Sequence, residues 1–598
     1  MPMTDLRLTA LHSAYGQGLS PVSVVSEVFE RIDAVADPGI FISLRPIGDV
    51  TADAKSLGAF DPKAKPLWGV PFAVKDNIDV AGLPTTAACP DFSYLPERTA
   101  AAVQRLVDAG ALLIGKTNLD QFATGLVGVR TPYPVPRNAL ANELIPGGSS
   151  SGSAVAVARA IVTFALGTDT AGSGRVPAAL NNIVGLKPSL GIVSTNGVLP
   201  ACRTLDCVSI FALTVDEAWA VLAEMAAFDP FDPFSRPSSL SKPAVPPFRR
   251  VGVPSARTIE FFGDRKAEAA FGAAVDAVGE LGATIEEVDF TPFREAAALL
   301  YAGPWVAERY QAIRAFFESA PDKLHPVTRS IIAGAGNYSA ADAFAGLYRL
   351  AELRRASEAV WKRIDLLMVP TIPTVYTAEE VAKEPVALNS NLGVYTNFVN
   401  LLDLCALAVP FKFREDGLPA GVTLIAPRDN DGMLAALGRE VHAAANVPLG
   451  ATTSYPEYAT AEPTAPSGWL ELAVVGAHMS GLPLNAELRA IGAVFLRKAQ
   501  TTPDYTLFAL SGGSIPKPGL LRAADGAGAQ IECEVWALPP DAFGRFVAAI
   551  PPPLGIGTLR LADGTAPKGF LAEAEGVSGC LDISSWGGWR NYLSSAMS

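Results

Sequence analysis

The sequence predicts an α/β fold, a mixed sheet wrapped by helices, with a small α+β domain appended at the C-terminal end. Three observations predict it. Short apolar strand-type runs alternate with a helical segment between residues 250 and 425. The chain has 598 residues, more than one hydrophobic core accommodates. Residues 451–468 (ATTSYPEYATAEPTAPSG) are rich in Thr, Pro and Ala, and beyond them the composition turns to short strands, glycines and prolines. The expected division is a first domain over 1–450, a linker over 451–468 and a second domain over 469–598.

Taken in order, Ser20-Pro21 is an N-cap and first-turn pair, and Val24, Val25, Val28 and Ile32 follow on one helical face. Val70 to Val74 is strand-like and leads directly into Lys75. Arg98 to Ala109 reads as a helix, and Ala111 to Ile114 as a buried strand entering the loop Gly115-Lys116-Thr117-Asn118-Leu119-Asp120. Gly147 to Gly152 (GGSSSG) bars regular structure while crowding amides and hydroxyls together. Val155 to Ala160 reads as a tight helix and Val162 to Leu166 as a buried strand. That strand ends in a loop, Gly167 to Ser173, whose successive amides can face one oxygen atom. Pro230 to Pro247 is a proline-rich surface connection. The alternation then runs through Arg250–Val253, Arg265–Leu281, Thr284–Val288, Leu366–Val369 and Gly421–Ile425.

The pattern GGSSSGSA, then ALGTDTAGSGRVPAA, then GLKPS resembles the amidase-signature enzymes nearly throughout. Ala171 replaces the usual glycine and Gly174 the usual isoleucine; neither change removes a side chain the chemistry needs. The resemblance implies an amidase-signature fold with Ser173 as nucleophile, Ser149 (preceded by a cis peptide) as proton relay, and Lys75 within GVPFAVKDNIDVAG as base. A serine needs a base to take its proton, and a lysine serves only if burial keeps it neutral. The amides of Thr170, Ala171, Gly172 and Ser173 are the expected oxyanion hole. The loop around Gly125 is expected to line the acyl pocket, a turn glycine being an equally good reading of that residue. Taken singly, Lys75 reads as a surface lysine and the serines as loop filler; three of them in matching motifs read as a set.

Two further stretches resemble the allophanate hydrolases. In LYAGPWVAER, Tyr301 and Arg309 are eight residues apart and lie within about 80° on a continuous helix, although Pro304 warns that a turn begins there. Spacing alone favours a solvated arginine; the resemblance implies a tyrosine–arginine grip on a substrate carboxylate. The appended domain opens with LAVVGAHMSGLPLN, which ordinary amidases lack, and is more distantly similar to the γ-glutamyl cyclotransferase-like fold. A lone histidine is more often structural than catalytic, but His478 sits at a strand exit among glycines. The implied activity is hydrolysis of allophanate to ammonia and N-carboxycarbamate, which then loses carbon dioxide, with help from this domain as an expectation. Alternatives are a general amidase for another small carboxylated amide such as malonamate, the glutaminase-type subunit of an amidotransferase, and a C-terminal module serving only dimerisation. No cofactor is implied, a homodimer is, and a separate enzyme such as a urea carboxylase must supply allophanate.

Bulk properties agree with a globular enzyme: 49% hydrophobic and 18% charged residues, net charge −13 and pI near 5.0, with no basic face for nucleic acid. Six cysteines without a CxxC imply reduced thiols in the cytoplasm. Four histidines without metal-ligand spacing imply no metal site. Neither a signal peptide nor an apolar window long enough for a membrane span is expected.

Overall fold

Strands buried on both faces lie inside a sheet, and the first part of the chain supplies many of them. The computed structural model describes residues 4–237, 240, 244–458, 463, 465–466, 468–512 and 514–596. Eleven strands share one sheet: β1 (Phe41–Leu44), β2 (Pro71–Lys75), β3 (Leu112–Thr117), β4 (Phe164–Asp169), β5 (Val184–Lys187), β6 (Cys207–Ala212), β7 (Arg249–Pro254), β8 (Ala283–Val288), β9 (Leu366–Pro370), β10 (Leu404–Phe411) and β11 (Ala420–Pro427). Their spatial order is β1-β3-β2-β4-β6-β5-β10-β11-β9-β7-β8. The sheet is mixed: β2 runs parallel to β3 and β4, whereas β4 meets β6 antiparallel. Central strands β2, β3 and β4 are buried at every position, and the two edge strands β1 and β8 are partly exposed.

Helices form where the sequence caps them. Ser20 Oγ accepts from Val22 N, Pro21 occupies the first turn of Pro21–Val35, and Val24, Val25 and Val28 are buried. Boundaries shift around the serine-rich run. The helix begins at Ser151, earlier than Val155, so Ser151 and Gly152 are helical despite the glycines. The strand runs on to Asp169 because Gly167, Thr168 and Asp169 pair with Ser209, Val208 and Cys207 of β6, which leaves the loop to start at Thr170. Ladder hydrogen bonds override the turn preference of these residues.

The described residues fall into two compact units. The first contains the eleven-stranded sheet apart from residues 249–250 and 283–284, which group with the second, and continues to Tyr458, into the stretch read as a linker. Gly450 N donates to Asn182 O and Tyr458 OH accepts from Val215 N, so residues 451–458 are held by the first unit. Positions 459–462, 464 and 467 of that stretch, and 238–239 and 241–243 of the proline-rich connection, lie outside the described residues. The second unit has a five-stranded sheet and a three-stranded one. In chain order its strands are β12 (Leu470–Val474), β13 (Val494–Gln500), β14 (Tyr505–Ala509), β15 (Pro518–Arg522), β16 (Glu532–Leu538), β17 (Leu554–Thr558), β18 (Lys568–Ala572) and β19 (Leu581–Asp582). They enclose a core including Leu472, Val474, Leu496 and Trp536. No described helix is long and apolar enough to cross a membrane.

Candidate active site

Parallel register brings the first pair of groups together. Phe72, Ala73 and Val74 of β2 pair with Phe164, Ala165 and Leu166 of β4, so Lys75 emerges beside Gly167 and Thr168 at the carboxyl ends of both strands. Open α/β sheets bind ligands at such ends. Lys75 Nζ lies 2.7 Å from Ser149 Oγ and 2.8 Å from Thr168 Oγ1. All three residues are buried. Burial pushes the Lys75 ammonium down to about 7, against the opposing pull of Asp120, Asp206 and Asp169.

Ser149 follows a cis peptide bond from Gly148. Only glycine fits at 148, since a Cβ there would come within 2.0 Å of Asp120 Oδ2 and 2.5 Å of Gly128 N. Asp120 gathers the neighbouring turn: its carboxylate accepts from the amides of Val127, Gly128 and Arg130, and its own amide donates to Ser149 O. The turn carries Gly125, whose carbonyl oxygen lies 3.5 Å from Ser173 Oγ. Gly125 thus faces the serine through its backbone, and its missing side chain leaves room for Asp120, which a Cβ would approach to 2.5 Å.

The loop bearing Ser173 is fixed from beneath by a buried ion pair. Arg175 donates Nε and Nη2 to the two oxygens of Asp169 at 2.8 and 2.9 Å. Asp169 also accepts from Gly172 N at 2.8 Å and Gly174 N at 3.1 Å. Burial alone would raise its carboxyl, yet Arg175 and these donors hold it below the ordinary carboxylate range. This sets Gly172 apart from the other members of the expected oxyanion set. The Gly172 N–H is committed to Asp169, whereas the amides of Thr170, Ala171 and Ser173 donate to no protein acceptor among the described residues. Gly172 has φ +128, and a Cβ there would strike Thr396. Thr170 is clamped in turn through its hydroxyl by Asp206, which also accepts from Ala201 N and Cys202 N. Burial pushes the Asp206 carboxyl up to about 6.

Tyr301 and Arg309 do meet, though not on one helix. Thr291–Ala302 ends before Gly303-Pro304 and a new helix runs over Trp305–Ala312, because Pro304 has no N–H for the preceding turn. Across the break, Arg309 Nη2 donates to Tyr301 OH at 3.2 Å and its guanidinium lies 5.1 Å from the tyrosine ring centre. Arg309 Nη1 reaches Thr124 Oγ1 at 3.3 Å and Ala123 O at 3.4 Å, which sets it beside the turn that faces Ser173. Arg309 is only 2% exposed, its Nε has no hydrogen-bond partner, and no carboxylate forms an ion pair with it among the described residues. A buried cation left in this state is suited to an anionic ligand.

Sequence reasoning passed over Thr168, Asp120 and Asp206. The first two lie inside stretches already singled out, so their signal was present; Asp206 is far from them in sequence and gave none. In the second unit His478 leaves β12 as expected. Its ring stacks on Phe570 and its Nε2 lies 3.1 Å from Glu487 Oε2. Arg590 in the same unit is occupied: its Nη2 donates to Glu534 Oε1 at 2.6 Å, and Phe248 covers the guanidinium.

A buried lysine bonded to a serine, beside a serine-bearing loop with open amides, defines an amidohydrolase on a large mixed sheet. The amidase family model matches residues 23–435, and the chain belongs to that family. Residues 470–594 match the model described as allophanate hydrolase C-terminal domain. The chain is 47% identical over 545 residues to a urea amidolyase of Saccharomyces cerevisiae, covering 88% of this chain and 30% of that protein. It therefore spans about 30% of the length of that relative. A glutamyl-tRNA(Gln) amidotransferase subunit of Nostoc punctiforme is 33% identical over 451 residues, 68% of this chain and 90% of that one. The solved structure of a Kluyveromyces lactis allophanate hydrolase is similar across 99% of both chains, with 41% identity and a TM-score of 0.80.

Proposed function

We propose that the chain hydrolyses allophanate, the N-carboxylate of urea, with Ser173 as nucleophile, Ser149 as relay and Lys75 as base. Arg309 is the observation that carries the substrate: a buried cation without a carboxylate partner among the described residues, beside the turn that faces the nucleophile. Likeness to the Kluyveromyces lactis enzyme over both units supports the same reading.

In this reading the three residues act in turn. Neutral Lys75 takes the Ser149 proton across 2.7 Å, and Ser149 takes that of Ser173 once its hydroxyl turns from Gly125 O. Ser173 Oγ attacks the terminal amide carbonyl, and the amides of Thr170, Ala171 and Ser173 receive the oxyanion. Collapse expels ammonia, which takes the proton returned through Ser149. Water then attacks the acyl-serine by the same relay, releasing the N-carboxycarbamate dianion and a proton. Arg309 and the Tyr301 hydroxyl hold the carboxylate throughout. Each such product molecule yields carbamate and carbon dioxide on protonation at nitrogen, a step we assign to His478 as general acid in the second unit. Allophanate is supplied by a urea-carboxylating activity outside these 598 residues, so the chain serves urea nitrogen catabolism. It works in the cytoplasm, consistent with six free cysteines, and as a homodimer, which sedimentation measures.

Ammonia release on allophanate, malonamate, biuret and glutamine side by side tests the substrate; faster release from glutamine would overturn the reading. Arg309→Lys should cut kcat/KM for allophanate by about 30- to 1000-fold, because an ammonium cannot make the planar two-point contact. An uncharged amide should lose far less, and equal losses would make Arg309 structural. His478→Ala in the full chain should leave the first ammonia unchanged while carbon dioxide lags, with N-carboxycarbamate visible by carbon-13 NMR. Absence of a lag would leave the second unit a scaffold.

A further inference from the structure

Four charged side chains, Asp120, Asp206, Arg130 and Arg309, are buried around Ser173 and the turn that faces it, and none forms an ion pair among the described residues. Both carboxylates are engaged by amides and a hydroxyl. Asp120 accepts from the amides of Val127, Gly128 and Arg130, and Asp206 from Thr170 Oγ1 and the amides of Ala201 and Cys202. Arg130 is only 1% exposed; it donates Nη1 to Thr124 O at 2.9 Å and Nη2 to Pro385 O at 2.6 Å, and its Nε has no hydrogen-bond partner. Thr124 also bonds Arg309 Nη1 through its hydroxyl, so two guanidiniums converge on one residue of the turn. Burial lowers the Arg130 pKa, Asp120 and Tyr301 oppose this, and the like charge of Arg309 adds to it. His325 feels Asp120 and Arg130 as well, but burial lowers its pKa below the ordinary 6.5, so it adds no charge near pH 7.

We propose that Arg130 is a specificity-determining residue: its charge offsets Asp120 and so leaves the charge of Arg309 to a substrate carboxylate. This rests on the reading of Arg309 and Tyr301 as the grip on that carboxylate. Asp120 is needed to gather the turn, yet it sets a negative charge beside the place where the substrate anion binds. Without Arg130 and with Asp206 ionised, two carboxylates would face one guanidinium, and an entering anion would be repelled. With Arg130 the carboxylates and guanidiniums balance, and a monoanion meets Arg309 on a neutral background. Asp169 and Arg175 cancel each other in their own ion pair, and Lys75 carries no charge as the free amine. Arg130 acts through its field and not by contact, since both its terminal nitrogens already donate to carbonyl oxygens. The substrate class that follows is a small amide with a single negative charge at the end away from the scissile bond.

Malonamate and malonamide differ only in a carboxylate for a carboxamide, so together they report charge at constant shape. Titration calorimetry on the full chain carrying Ser173→Ala, which removes turnover, gives a Kd for each. Adding Arg130→Gln removes the charge but keeps an amide donor for Thr124 O; the malonamate Kd should rise about 10-fold or more. Adding Arg130→Lys keeps the charge and loses the two-carbonyl bridge; the malonamate Kd should stay within about threefold while the thermal transition falls. Malonamide binding should be the same in all three chains. A malonamate Kd unchanged by Arg130→Gln overturns the role of Arg130. So does a malonamate Kd raised about 10-fold in Arg130→Lys, because the carbonyl bridge and not the charge would then be what matters. A chain with native Arg130 that binds malonamate no better than malonamide overturns the carboxylate grip of Arg309 along with it. A preference for malonamate that survives Arg130→Gln removes Arg130 alone and leaves that grip standing.

Discussion

Ser173→Ala should lower ammonia release from allophanate by about 10⁴-fold or more, since the hydroxyl proposed to form the acyl intermediate is gone and no neighbour can replace it. The fold should survive. Ser173 is buried, but its hydroxyl makes only a long contact with Gly125 O, and the loop is held by Asp169, Arg175 and Asp206. Circular dichroism should match the parent chain, and a thermal transition within a few degrees of it is expected. Residual turnover above about one per cent of the parent would reject Ser173 as nucleophile. Ser149→Ala should be impaired by a similar order, because members of one proton relay fail together.

Lys75→Met should fall about as far, and for a reason that pH can read. The base works only as the free amine, and burial places its titration at about 7. A base with a depressed pKa is mostly protonated below that value, so activity rises with pH through about 7 and levels off above it. At two units below the midpoint about one per cent of the amine is free, and the rate should drop about 100-fold. Asp206, pushed up to about 6, titrates in the same window and adds to the acid-side loss by loosening Thr170. Methionine suits the apolar part of the lysine's surroundings and removes a costly buried amine, so loss of activity should come without loss of stability. A flat pH profile between 5 and 8 in the parent enzyme, or a working Lys75→Met, would sink this assignment of the base.

The site was legible in part because its chemistry lies in short contiguous motifs. Through the resemblance, GGSSSG and GTDTAGSGR pointed to Ser149 and Ser173, and GVPFAVKDNIDVAG to Lys75, as candidates. The family match over 23–435 agrees with those readings at the level of class. Strand and helix alternation was legible as well, with ends shifted by a few residues where ladder pairing extended β4 to Asp169 or the helix reached back to Ser151.

What the sequence by itself determined is which residue types stand in which local order: capped helices, apolar strands, two serine loops and a tyrosine eight residues from an arginine. Tertiary structure alone decided what these groups are. The parallel register of β2 on β4 puts Lys75 beside Thr168, and enclosure by the surrounding sheet and helices makes its amine available near neutrality. Asp169 engages the Gly172 amide and leaves the amides of Thr170, Ala171 and Ser173 without a protein acceptor among the described residues. The break at Pro304 sends Tyr301 and Arg309 onto different helices that meet again at the turn carrying Thr124. In each case the deciding quantity is desolvation or a hydrogen bond between distant segments. Local sequence carries neither, because both depend on what the rest of the chain places within a few ångströms.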